Sequence, residues 1–122
     1  MQERRKYIRY AIEGSAVLTT EEDTARSING DLINIGFQGM SLNLLEKITE
    51  GIRVKFALIT KLHDKSIIGE GKVKYAHEIK RYGTNVFRLG IEFTNIDNEA
   101  IRSIINRIQE DLCAEARRKR TG

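Results

Sequence analysis

Proline and tryptophan are absent from this 122-residue chain, cysteine occurs once, histidine twice, and no long uninterrupted apolar run is present. The missing proline and tryptophan decide nothing about function. The single Cys113 excludes an internal disulfide, and no charged-then-apolar leader opens the sequence, so a reducing cytoplasm is the expected compartment. Without a long apolar segment, no membrane insertion is expected. His63 and His77 have no metal-ligand spacing between them or around Cys113, which argues against a metal site and against a Cys–His nucleophile. No Gly-rich loop ending in Lys-Ser/Thr occurs, and Gly36 and Gly39 precede a strand pattern rather than a helix, which excludes a P-loop or a dinucleotide fold. No acid, base or nucleophile constellation can be assembled, so no enzyme and no cofactor are expected.

What is present is one domain's worth of chain with 40% hydrophobic and 31% charged residues, a formal charge of +4, and its cations gathered at the two ends. Arg117-Arg118-Lys119-Arg120 closes a helical pattern, where cations complement the helix dipole. At the other end Glu3 to Tyr10 reads Glu-Arg-Arg-Lys-Tyr-Ile-Arg-Tyr. Arginine forks suit phosphate oxygens and the acceptor edge of guanine, and their planes stack on bases. By itself such a cluster reads as a solvated tail.

Behind the arm, alternation marks a series of short strands. Ile12 to Thr20 sets Ile12, Gly14, Ala16 and Leu18 on one face, Thr20 to Thr24 makes a polar hairpin loop, and Ser27 to Ile35 returns. A glycine-flanked turn, Asn34 to Gly39, leads into the apolar alternation Met40-Ser41-Leu42. Residues 43–51 form a connection with room for a helical turn, and Ile52, Val54, Phe56 and Leu58 give the clearest half-buried strand. In Ser66 to His77 the pattern puts Gly69, Gly71, Val73 and Tyr75 on one face, and Phe87, Leu89, Ile91 and Phe93 mark the last strand. Six such segments are best satisfied by a sheet that closes on itself, a small antiparallel β-barrel, although a two-sheet sandwich has the same periodicity. Ile101, Ile104, Ile105, Ile108 and Leu112 then change the period to that of an amphipathic helix, with Asp97 as its N-cap. This stripe covers either one barrel opening or the same helix of a second molecule, so a monomer or weak homodimer is expected. The hairpin brings Arg9, which opens the first strand, near Asn34, which ends the second.

On these residues the chain resembles the PilZ family of cyclic di-GMP receptor domains. The Arg-Arg-x-x-x-Arg signature stands as Arg4-Arg5-Lys6-Tyr7-Ile8-Arg9, and Asp/Asn-x-Ser-x-x-Gly stands as Asn34-Ile35-Gly36-Phe37-Gln38-Gly39 with glycine in place of serine. A competing register starts at Asp31, closes at Gly36 and puts Ile33 at the serine position; the Met40-Ser41-Leu42 run after Gly39 favours the register beginning at Asn34. The Gly90-Ile91-Glu92-Phe93 ending and the terminal helix also fit, so the resemblance covers nearly the whole chain.

The resemblance implies a mostly β protein: a flexible arm at residues 1–10, a six-stranded antiparallel barrel over 11–94 and a C-terminal amphipathic helix over 97–118. It implies a bacterial, cytoplasmic, non-catalytic receptor for the second messenger cyclic di-GMP. The resemblance further implies that Arg5 and Arg9 would meet phosphates and the guanine O6/N7 edge with Arg4 supplementing them, that Asn34 would meet the base, and that Gly36 and Gly39 would shape the turn beneath it. A downstream protein partner is implied and no specific nucleic acid. The alternative is a degenerate interaction module that binds no nucleotide. A lost neutral hydrogen bond costs about 0.5–1.5 kcal/mol against about 1.5–3 for each charge-assisted arginine contact, so the serine-to-glycine change is expected to weaken binding by up to about tenfold.

Overall fold

The computed structural model describes residues 8–121. Six strands, β1 (Tyr10–Thr20), β2 (Asp23–Ile35), β3 (Gly39–Leu44), β4 (Arg53–Ile59), β5 (Ile67–Arg81) and β6 (Thr84–Asn95), precede one helix, α1 (Asn98–Thr121). Every neighbouring pair is antiparallel, and the order β1-β2-β3-β6-β5-β4 closes because β4 also pairs with β1, through Ser15↔Ile59 to Thr20↔Val54. The sandwich alternative is thereby removed: strand pairing runs right round and leaves no open edge.

The inward residues are those that alternation selects. Ala16, Leu18, Leu32, Ile35, Met40, Leu42, Val54, Phe56, Leu58, Val73, Leu89 and Ile91 are buried in one cluster, joined by Ile101, Ile104, Ile105 and Ile108 of α1. The helix therefore packs its stripe on the barrel core. Asp97 caps it, accepting from the backbone N–H of Glu99 at 3.0 Å and of Ala100 at 3.3 Å. The stripe stops one residue early, since Leu112 is 55% exposed.

Several boundaries differ from the sequence pattern. The first hairpin turns on Glu21 and Glu22 alone, with Thr20 paired to Asp23, because the polar residues continue the ladder instead of looping out. Residues 45–52 hold no helical turn; Gly51 at φ +89° redirects the chain into β4, a conformation that suits glycine. The β5–β6 hairpin turns on Tyr82 and Gly83 at φ +51° and +77°, the doubly positive geometry that matches strand twist.

The main correction lies in β5. Val73 pairs with Ile91, but Tyr75 pairs with Gly90, so Lys74 is an extra residue in a bulge. A bulge shifts the alternation by one. Val73 stays inside, Ala76 turns in, and Tyr75 moves to the outer face, opposite to where strict alternation puts it.

Candidate functional site on the outer barrel face

The root of the arm lies on the glycine turn. With Tyr10 paired to Ile35 and Ala11 to Asn34, the residues just before β1 run beside the turn just after β2. Gly36 N–H donates to the Gly39 carbonyl at 2.9 Å, closing the turn, and Phe93 N–H donates to the Gln38 carbonyl at 2.8 Å, tying it to β6. Glycine is required at position 39 by close approach on two sides: a Cβ there would stand 2.3 Å from the Ile91 carbonyl oxygen and 3.1 Å from Arg9 Nη2.

The Arg9 guanidinium spans this turn. Its Nη1 donates to Asn34 Oδ1 at 3.3 Å and to Ser41 Oγ at 2.9 Å. Ser41 follows from register: it pairs with Asn34 on one side and with Gly90 on the other. The Tyr75 ring fills the space over Gly90, where a Cβ would fall 1.9 Å from a ring carbon, and its hydroxyl lies 2.9 Å from Ser41 Oγ. Asn34, Ser41, Gly90 and Tyr75 thus form one transverse row on the outside of β2, β3, β6 and β5.

A second row runs parallel to it. Asp31 pairs with Asn43, Asn43 with Arg88, and Arg88 with His77. Arg88 Nε donates to Asn43 Oδ1 at 2.5 Å, and the His77 ring stacks on Tyr75 with centroids 5.0 Å apart at 26°. Two guanidinium groups held by neutral amides therefore flank a half-exposed aromatic pair. Forked donors beside π faces suit a planar, acceptor-rich, anionic ligand such as a purine nucleotide. Among the described residues no group of three or more His, Cys, Asp or Glu is placed to hold a metal ion.

A family model described as "PilZ domain" matches residues 3–110. The chain belongs to the PilZ domain family. Solved PilZ structures share the fold. The PilZ domain of Escherichia coli YcgR with c-di-GMP superposes at TM-score 0.73 with 15% identity, covering 93% of this chain and 98% of that one. The K. pneumonia MrkH–c-di-GMP complex gives 0.69 with 18% identity over 97% of this chain and 55% of that one. The Bacillus subtilis inhibitor of motility MotI/DgrA gives 0.69 with 15% identity over 93% and 53%. The chain spans about half the length of these last two proteins. No curated protein matches it by sequence.

Within this PilZ fold, four of the six residues singled out from the sequence come together: Arg9, Asn34, Gly36 and Gly39 form one cluster. Arg4 and Arg5 lie outside the described residues. Arg9 bonds to Asn34, while Asp31 lies out along the face opposite Asn43. Ser41, Tyr75, His77, Asn43 and Arg88 were not singled out. Strand alternation puts Ser41 and Asn43 on the outer side of β3, which was a usable signal once Asn34 was placed beside them. Tyr75 was hidden by the bulge.

Proposed function

We propose that this chain is a non-catalytic receptor domain for cyclic di-GMP in the bacterial cytoplasm, reading the nucleotide on the outer barrel face. The observation that carries the reading is the bond from Arg9 to Asn34, which joins the last residue of one PilZ motif to the first of the other beside the Gly36–Gly39 turn. The reading is supported by the structural neighbours whose structures contain c-di-GMP, the YcgR PilZ domain and the MrkH complex. Arg9 supplies a forked donor for a phosphate or the guanine O6/N7 edge. Arg5 does the same beside it, Arg4 supplements both, and ligand capture orders the Arg4–Arg9 arm against the barrel. Asn34 meets the base edge. Tyr75, backed by His77, offers a ring face, and stacking of a base on an aromatic is worth about 1–3 kcal/mol. The ordered arm then changes a surface that a protein partner reads.

Isothermal titration with cyclic di-GMP tests this, with saturable heat in the native chain and about a ten- to hundredfold loss in Arg9→Ala, the equivalent of one charge-assisted contact. The ligand-free reading, an interaction module, draws on a second feature. The groove of about 730 Å³ between α1 and the ends of β1 and β4 is lined by Ile12, Ile59, Leu62, Ile108 and Leu112. That reading predicts no heat with nucleotide and a partner lost on Leu112→Glu.

A further inference from the structure

The family motif carries a hydroxyl at the position of Gly36, and the sequence alone makes its absence a defect. The geometry gives another account. A Cβ on residue 36 would stand 2.7 Å from the Ile8 carbonyl oxygen and 3.4 Å from Arg9 Cγ. The first separation is shorter than real Cβ contacts allow, and the obstacle is backbone rather than the end of a flexible side chain. A side chain at 36 therefore requires the backbone at Ile8, beside Arg9, or the turn itself to shift.

One strand away a hydroxyl is present. Ser41 is buried, with 1% of its surface exposed. Its oxygen accepts from Arg9 Nη1 at 2.9 Å, shorter than the 3.3 Å bond from the same nitrogen to Asn34, and it shares a 2.9 Å hydrogen bond with the Tyr75 hydroxyl. Serine has one donor hydrogen and two lone pairs, enough to serve both neighbours at once. Tyr75 is in turn fixed because its ring occupies the space above Gly90. The chain Tyr75–Ser41–Arg9 is thus anchored in β5, passes over β6 at Gly90 to Ser41 on β3 and ends on the guanidinium.

We propose that in this protein the missing motif hydroxyl is replaced in function by Ser41, a positioning residue that holds Arg9 on the turn, and that the volume of the motif serine is taken by the arm's own backbone. Restoring serine at position 36 then weakens ligand binding instead of repairing it. The affinity part of this inference rests on the cyclic di-GMP reading; the docking of the arm root on the turn does not.

Two measurements on native protein, Gly36→Ser, Gly36→Ala, Ser41→Ala, Ser41→Thr and Tyr75→Phe test it. In amide hydrogen exchange without nucleotide, the amides of Arg9 to Ile12 exchange about tenfold faster in both Gly36 variants and in Ser41→Ala, the equivalent of one charge-assisted bond. Amides elsewhere in β2 and β3 keep their native rates. Ser41→Thr, which keeps the hydroxyl, retains protection, and Tyr75→Phe loses part of it. In cyclic di-GMP titration, Gly36→Ser and Gly36→Ala bind about equally, each about tenfold weaker than native, because the Cβ and not the hydroxyl decides. Native exchange rates at Arg9 to Ile12 in Gly36→Ser overturn the proposal, and so does tighter binding by Gly36→Ser than by the native chain. If the native chain gives no heat, the receptor reading falls while the exchange result still decides the docking.

Discussion

Gly39 shows how a single missing Cβ sets the site. Its Cα lies against the β6 backbone at Ile91 and under Arg9, and a methyl group would be 2.3 Å from a carbonyl oxygen that a barrel strand cannot easily withdraw. Gly39→Ala is expected to cost about 1–3 kcal/mol, the range for overpacking a filled site, read as a lower urea midpoint with unchanged slope. Arg9 differs in kind. It is half-buried on the outer face, so its replacement is expected to cost ligand affinity far more than stability. At this scale the sequence was partly legible: Arg9, Asn34, Gly36 and Gly39 were each recognisable from type and spacing. Ser41 was not, because a serine between Met40 and Leu42 looks like any outward strand position, and its importance lies in partners 32 and 34 residues away.

Strands and helix behave as their periodicity dictates, except where the backbone breaks step. The extra residue at Lys74 cannot be read from the alternating pattern of β5, since Val73 and Tyr75 are both plausible core residues, yet it delivers Tyr75 to the site. Gly90, legible in the sequence only as part of the Gly90-Ile91-Glu92-Phe93 ending, proves to be the seat of the Tyr75 ring. The β5–β6 turn carries a testable strain. Tyr82 sits at φ +51° with its side chain in solvent, and a non-glycine residue there costs roughly 1–2 kcal/mol. Tyr82→Asn, which tolerates this region and makes the favoured Asn-Gly pair, is expected to raise stability by up to about 1 kcal/mol, seen as a higher thermal midpoint. At the head of α1, Asp97→Ala removes the acceptor of two backbone N–H groups and is expected to cost about 1 kcal/mol in the same assay.

Across the whole molecule, closure of the barrel and the seating of α1 share one core. Ile104 is fully buried where the helix meets it, so Ile104→Ala is expected to lose about 2–5 kcal/mol in urea unfolding, without touching the outer face. Closure itself was legible only by exclusion, from six short strands that need their edges satisfied; the pairing of β1 with β4 that completes it is long-range and leaves no local trace. This division of labour, a core facing inward and a polar row facing outward on the same strands, allows the site to vary while the fold stays. Whether the outer row receives cyclic di-GMP is decided by calorimetric titration of the native chain alongside Arg9→Ala. Saturable heat is expected from the native chain, with an affinity about ten- to a hundredfold weaker in the variant; no heat from the native chain at high micromolar ligand would contradict cyclic di-GMP binding.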